Sequence, residues 1–200
     1  TEDSRETRLL QNALAAGANH IEDRERRTDL ILQALETADE EKQVDLLRPL
    51  SRIGGRRALQ AVIARTRSEN SRIQTAAVSV LADWPEFDAV EELFEICQNT
   101  EDQKHLLVAA RGYVRLIGDS DLEEEERVKR YREILKVVSG PAAKAVVLDG
   151  LGAVRSMEAF RMAALFLEDP ELRSKAAEAV ARIVFSGIDV EKEISSPELL

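Results

Sequence analysis

Few residues in this chain are of a type that performs chemistry, and their spacing decides what they can do. The two histidines, His20 and His105, lie 85 residues apart. Neither has a second His, a Cys or a suitably spaced carboxylate beside it, so neither belongs to a metal-ligand pattern. His105 opens a helical stretch in Gln103-Lys104-His105-Leu106 and is expected to be structural and partly exposed. The single cysteine, Cys97, excludes an internal disulfide. It stands in Glu92-Leu93-Phe94-Glu95-Ile96-Cys97, where carboxylates disfavour a thiolate, and it reads as a small packing residue. The run from Asp119 to Glu126 is the best candidate for a divalent cation. It lacks the alternating oxygens and central glycine that wrap a loop round calcium. Glu123 to Glu126 read instead as a first helical turn, where acids meet the positive end of the dipole. Gly150-Leu151-Gly152 has neither the strand nor the third glycine of a phosphate-binding loop, and reads as a close approach of two helices. No nucleophile elbow, Walker loop or dinucleotide fingerprint is present. The sequence therefore assigns no catalytic residue, no cofactor and no metal ligand, and the chain is read as not an enzyme.

Charge is the remaining candidate for function. Residues 41–72 carry eight basic side chains against three acids, a net of +5, whereas residues 83–102 carry eight acids and no base, a net of −8. Arg56, Arg57, Arg65 and Arg67 fall on one predicted helix, and Glu91, Glu92 and Glu95 on another two helices later. An arginine fork can meet a carboxylate through two parallel hydrogen bonds. These seven residues are the expected docking face for a protein partner or a neighbouring domain. The competing expectation is ordinary helix solvation, with exposed ion pairs each contributing ~0–1 kcal/mol.

The elements that position these residues follow from composition. The chain has 200 residues, 44% of them apolar, with one Trp, two Tyr and five Phe. A core of Leu, Ala, Val and Ile suits closely packed helices better than a sandwich or barrel. Nine Gly and five Pro are few for a fold needing a turn every ten residues or so. A net charge of −10 repels a phosphate backbone, so nucleic acid is not an expected partner. No run of eighteen apolar residues exists, so no membrane insertion is expected. The sequence opens on Thr1 with no recognisable secretory leader, and cysteine usage leaves the compartment open.

An internal repeat organises the rest. Leu50/Ile53, Leu81/Trp84, Val114/Ile117, Leu151/Val154 and Val180/Ile183 repeat one pattern at spacings of 31, 33, 37 and 29 residues. Four positions earlier stand Leu46, Ala77, Ala110, Val147 and Ala176, which completes one helical face. A second amphipathic stretch follows each of the first four. The stretches are carried by Ala58, Leu59, Val62 and Ile63; by Phe87, Val90, Leu93, Phe94 and Cys97; by Val128, Tyr131, Ile134, Leu135 and Val138; and by Ala159, Phe160, Ala163, Phe166 and Leu167. Leu9, Leu10, Ala13 and Leu14, then Leu30, Ile31, Ala34 and Leu35, add a pair in front. Pro85, Pro141, Pro170 and Pro197 are expected in first helical turns, Gly118 and Gly140 at helix C-caps, and Pro49 as a kink inside its helix. The prediction is all-α: a right-handed α-α superhelix, a HEAT-like or armadillo-type solenoid of about eleven helices. Its units are expected at 5–37, 40–68, 71–98, 103–138, 141–168 and 171–186, and the stack should be ~50 Å long at 8–10 Å between helices. A helix start at Ser196-Pro197-Glu198-Leu199-Leu200 suggests a segment of a longer chain.

The Trp, Gly, Tyr and Pro register of tetratricopeptide units is missing. The kinking Pro49 and the Ala-rich faces at Ala76-Ala77-Val78, Val108-Ala109-Ala110 and Lys175-Ala176-Ala177 resemble HEAT-type repeats. Over most of 40–185 the chain resembles the HEAT-repeat region of multidomain exported proteins of Bacteroidetes and Planctomycetes, often fused to 3-keto-disaccharide hydrolase-type domains. Leu50-Ser51-Arg52-Ile53-Gly54-Gly55, Val80-Leu81-Ala82-Asp83-Trp84-Pro85 and the stretch Ala109 to Leu116 carry that likeness. It implies an accessory role at the periplasm or cell surface, and a scaffolding or interaction module whose catalytic residues lie elsewhere. Two other HEAT-like classes are the alternatives. A DNA glycosylase would need a basic, aromatic-lined concave face, whereas the only Trp sits at a core anchor. A tetrapyrrole lyase or chaperone would need a pigment or thiol acceptor that nothing here specifies.

Overall fold

Leu, Ala and Val at three- and four-residue spacing form helices throughout the computed structural model, which describes residues 29–187. Among the described residues there are ten α-helices, a single 3₁₀ turn at Phe87–Ala89, and no strand. The helices are α1 (Asp29–Thr37), α2 (Glu40–Ile53), α3 (Arg56–Thr66), α4 (Ser71–Ala82), α5 (Val90–Asn99), α6 (Gln103–Asp119), α7 (Glu124–Val137), α8 (Pro141–Leu151), α9 (Met157–Ala164) and α10 (Arg173–Phe185). They group into two compact units, Thr1–Leu93 and Phe94–Leu200. His20, Pro197 and the stripe from Leu9 to Leu14 lie outside the described residues.

In the first unit α1 packs on α2, α2 on both α3 and α4, and α3 on α4. Helix α2 begins where the Asp39 side chain accepts from the Lys42 N–H at 3.0 Å. It runs through the buried Pro49 to Ile53 as one assigned helix. Gly54 and Gly55 then turn the chain at φ 67° and 89°. Only glycine enters that region without a Cβ penalty, so this connection depends on both. Leu47, Leu50, Ile53, Ala77, Leu81 and Trp84 are buried in the core. Leu30 and Ala34 are exposed, contrary to the expected stripe, and α1 buries Ile31 and Leu35 instead.

Helix α6 packs on α7 and α8 in the second unit, α8 on α9 and α10, α9 on α10, and α7 on both α8 and α9. First helices thus stack on first helices, and second on second. Gly150 makes this possible. A Cβ there would stand 2.8 Å from Tyr131 Cζ and 2.8 Å from Val114 Cγ1. Tyr131 in turn donates its hydroxyl to the Val114 carbonyl, and Tyr113 donates to that of Arg130, both at 3.4 Å. Burial pushes the Tyr131 hydroxyl up to about 12, which keeps it a neutral donor. At Gly152 the occupant is the Arg182 guanidinium, whose Nη2 donates to the Asp149 carbonyl and carboxylate at 3.1 Å each.

Several local expectations need correction. Trp84 and Val154 lie beyond the ends of their helices, yet both are buried. The Trp84 N–H donates to Leu81 O and the Val154 N–H to Leu151 O, each at 3.0 Å. This tightened last turn returns the side chain to the face it would have occupied in the helix. Val114 and Val180 are only half-buried. Gly118 lies inside α6, which ends at Asp119 with Ser120 as its C-cap, and Gly140 at φ 76° is the N-cap of α8 and caps no C-terminus. Pro141 does start a helix, but Pro85 and Pro170 stand in turns. His105 is buried, not partly exposed, and its turn is capped by Asp102, which accepts from the Lys104 and His105 N–H groups at 2.7 and 3.2 Å.

Two outcomes follow from this packing. Trp84 has no exposed surface, so Trp84→Ala should destabilise by ~3–5 kcal/mol in denaturant melts, and native Trp fluorescence should be blue-shifted and poorly quenched. The Asp102 carboxyl is held below its ordinary value, first by the Lys104 N–H and then by that of His105. It therefore binds a proton less readily folded than unfolded. Its contribution is full above the ordinary carboxylate value and drains away as pH falls through the lowered one. Asp102→Asn keeps a cap acceptor without the titration. Urea melts at about pH 6 and about pH 2.5 should show a smaller loss of stability in this variant than in the wild type.

Candidate functional site

The seven charged residues singled out by sequence do not form one free docking face. Arg56 and Arg57 begin α3, and both are exposed. Arg57 Nη1 is ion-paired to Asp29 of α1. Arg67, the C-cap residue of α3, places Nη2 on both carboxylate oxygens of Glu92, at 2.9 and 3.1 Å. That carboxylate is largely covered, with its side chain 12% exposed against 62% for Arg67. The Thr66 hydroxyl also reaches it at 3.5 Å, while donating to Ile63 O at 2.8 Å. Arg65 is half-buried, and its Nη1 donates to the Ala61 carbonyl at 3.1 Å. Its Nε is buried with no hydrogen-bond partner among the described residues. Burial pulls its guanidinium below the ordinary value, an effect the Glu36 carboxylate opposes.

Glu91 and Glu92 belong to the first unit, whereas Glu95, four residues along α5, belongs to the second. Both Glu91 and Glu95 are exposed. Part of the charge contrast read from the sequence is thus met inside the first unit, where Arg67 at the end of α3 pairs with Glu92 at the start of α5. Arg56 alone of the four arginines makes no hydrogen bond or ion pair with a described residue.

Reactive side chains are equally accounted for. Cys97 is buried and its thiol is pushed up to about 12. Burial is the cause, and the neighbouring carboxylates invoked from sequence are not. Glu123 is the N-cap residue of α7 and Glu124 to Glu126 form its first turn. Glu126 holds Lys129 at 3.3 Å and Arg130 at 3.2 Å. Among the described residues no group of three His, Cys, Asp or Glu side chains stands close enough to hold a metal ion. No described helix is long and apolar enough to cross a membrane.

Sequence reasoning missed a groove in the second unit, of about 470 Å³, lined by Glu125 of α7 and by Met157, Glu158, Arg161, Met162 and Leu165 of α9 and its C-cap. The signal was available. The chain has two methionines, five residues apart, and both line this groove.

Comparison with known proteins supports the fold and little more. No family model matches the chain, and no curated protein matches it. Among solved structures it is similar to the crystal structure of an engineered protein, a target of the Northeast Structural Genomics Consortium. The likeness has a TM-score of 0.50 at 18% identity and covers 90% of each chain. At that identity the shared property is an all-α fold.

The Arg67–Glu92 pair gives a direct measurement. A double-mutant cycle with Arg67→Ala and Glu92→Ala should return a coupling of about 1–2 kcal/mol, since one partner is largely covered and the other exposed. Arg56→Ala should change stability by no more than about 0.5 kcal/mol. Equal effects at positions 56 and 67 would show that the Arg67–Glu92 contact does not form.

Proposed function

We propose that this chain is a non-catalytic interaction or scaffolding module built as a HEAT-like α-α solenoid, serving as an accessory part of a larger exported bacterial protein. The observation that carries the reading is the order of packing in the second unit, where α6, α8 and α10 stack in sequence and α7 and α9 stack beside them. Helices that bury their stripes only against sequence neighbours build a quasi-one-dimensional array, and such arrays present long continuous surfaces suited to other macromolecules. The likeness of Leu50 to Gly55, Val80 to Pro85 and Ala109 to Leu116 to exported HEAT-repeat regions supports the accessory role. The partner is a neighbouring domain or a separate protein with an acidic patch, met by Arg56 and the half-buried Arg65.

Titration calorimetry at low salt, with the other domains of the full-length protein supplied in trans, tests this. The chain should bind one of them, and binding should weaken as salt is raised past 0.1 M, where the screening length is ~10 Å. Arg56→Ala combined with Arg65→Ala should weaken binding about tenfold while the helical circular dichroism stays intact. Binding that ignores both salt and the two substitutions would overturn the assignment of this face. Turnover of a sugar, nucleic-acid or tetrapyrrole substrate by the isolated chain would overturn the non-catalytic reading.

A further inference from the structure

Helix α10 carries two apolar faces, and the described elements cover one of them. It packs on α8 and α9, and Ala176, Ala179 and Ile183 are its buried side chains. At 100° per residue, Ala177, Val180, Ala181 and Val184 form a separate stripe with Phe185 at its edge. Ala177 is exposed, Val180 and Ala181 are half-buried, and Val184 and Phe185 are 39% and 88% exposed. The internal repeat shows what this stripe corresponds to. Val180 stands in the register of Val114 in α6 and Leu151 in α8. Val114 reaches forward to Gly150 of α8, and Gly152, next to Leu151, receives Arg182 of α10. Asp149, two positions before Leu151, pairs with Lys175 and Arg182 of α10. Each of these helices thus meets the next on the face that Val180 and Ala181 occupy in α10. At the matching positions of α8, Leu148, Leu151 and Gly152 are buried, whereas Ala177, Val180 and Ala181 are not.

We propose that this stripe joins two copies of the chain, α10 packed antiparallel on α10 about a two-fold axis between Val180 and Ala181. A two-fold contact uses one surface twice, so that surface must be complementary to itself. The order of side-chain sizes meets this condition. Small and large alternate along the stripe, so the half-turn sets Val184 of each copy over Ala177 of the other, and Val180 over Ala181. Large side chains then enter the spaces left by small ones, as Tyr131 and Val114 do at Gly150. From Ala177 to Val184 the stripe holds no charged side chain, so the contact buries no ion. One helix face covers less than the ~800 Å² per partner of a standard interface, which makes the dimer weak, with a Kd on the order of 100 µM. The net charge of −10 on each copy opposes association, and salt screens that repulsion, so the dimer tightens as salt is raised.

Sedimentation equilibrium of the chain from about 10 µM to about 1 mM tests this, because the range brackets the expected Kd. A monomer–dimer equilibrium should appear, and its Kd should fall several-fold between about 0.05 and about 0.5 M salt. Binding through Arg56 and Arg65 moves the opposite way with salt, so the two readings can fail separately. Val184→Glu and Phe185→Ser, both at exposed positions, should each weaken the dimer at least tenfold while the circular dichroism and Tm hold. Cysteine pairing under air reads the orientation, since the native Cys97 is buried. Chains with Ala177→Cys mixed with chains with Val184→Cys should form disulfides between unlike copies several-fold faster than between like ones. A monomer throughout the concentration range overturns the proposal. So does a dimer that neither substitution weakens, or a faster disulfide between like copies. A monomer whose Tm falls sharply in both exposed-site variants would place other residues of the same chain over the stripe, and overturns it equally.

Discussion

The aromatic ring of Tyr131 lies against the backbone of Gly150 with no room for a methyl group between them. That contact sets how closely α7 can approach α8, and Val114 on the same glycine sets the approach of α6. A larger residue at 150 would have to displace the buried Tyr131 ring and the Val114 side chain, and a close-packed interior does not give easily. The remaining arrangement of the second unit builds on this wedge. The Tyr131 hydroxyl reaches the Val114 carbonyl because the ring is pinned there, and α10 can lie on α8 because Gly152 leaves space for Arg182.

Much of the helical organisation was legible because burial repeats with helical spacing. Leu50, Leu81 and Leu151 are buried as expected, as are Ile53, Ile117 and Ile183. The sequence pattern does not distinguish a residue on the last turn of a helix from one just past it. Trp84 and Val154 show why, since a single i→i+3 bond returns a residue beyond the helix end to the same face. Glycine was the less readable signal. Gly150 was read correctly as a close approach, but Gly118 and Gly140 were misplaced because a glycine suits the interior, the start or the end of a helix for different reasons. The Cβ space at 150 and the φ of 76° at 140 decide between them, and neither is visible in sequence.

The candidate site was legible as charge and illegible as geometry. A net of +5 next to a net of −8 looks like a bipolar surface when residues are counted along the chain. In the fold, opposite charges one helical pair apart meet each other first. Arg67 takes Glu92, Arg57 takes Asp29, and Arg65 folds onto its own helix. Adjacent segments of opposite charge in a stacked helical protein are therefore as well explained by internal pairing as by an external partner. What distinguishes an outward-acting side chain is the absence of a partner, and among the described residues the Arg56 side chain meets that condition.

The same criterion applied to apolar residues separates the α9 groove from the core. Exposure of a lone leucine needs no explanation, since much of any folded surface is apolar. Leu165 is different because both methionines of the chain, each half-buried, line the same groove beside it. Glu125 lines the groove, and it and the other carboxylates from Asp121 onward, Glu123 and Glu124, lack ion pairs among the described residues, although Lys129, Arg130 and Arg127 stand only a few positions along the same helix. Those bases are engaged elsewhere, with Glu126 and with the Ser120 carbonyl. The charged side chains that line the groove are of both signs, Glu125 and the Arg132-paired Glu158 on one side of the balance and the exposed Arg161 on the other, so charge counted along α7 does not describe the groove.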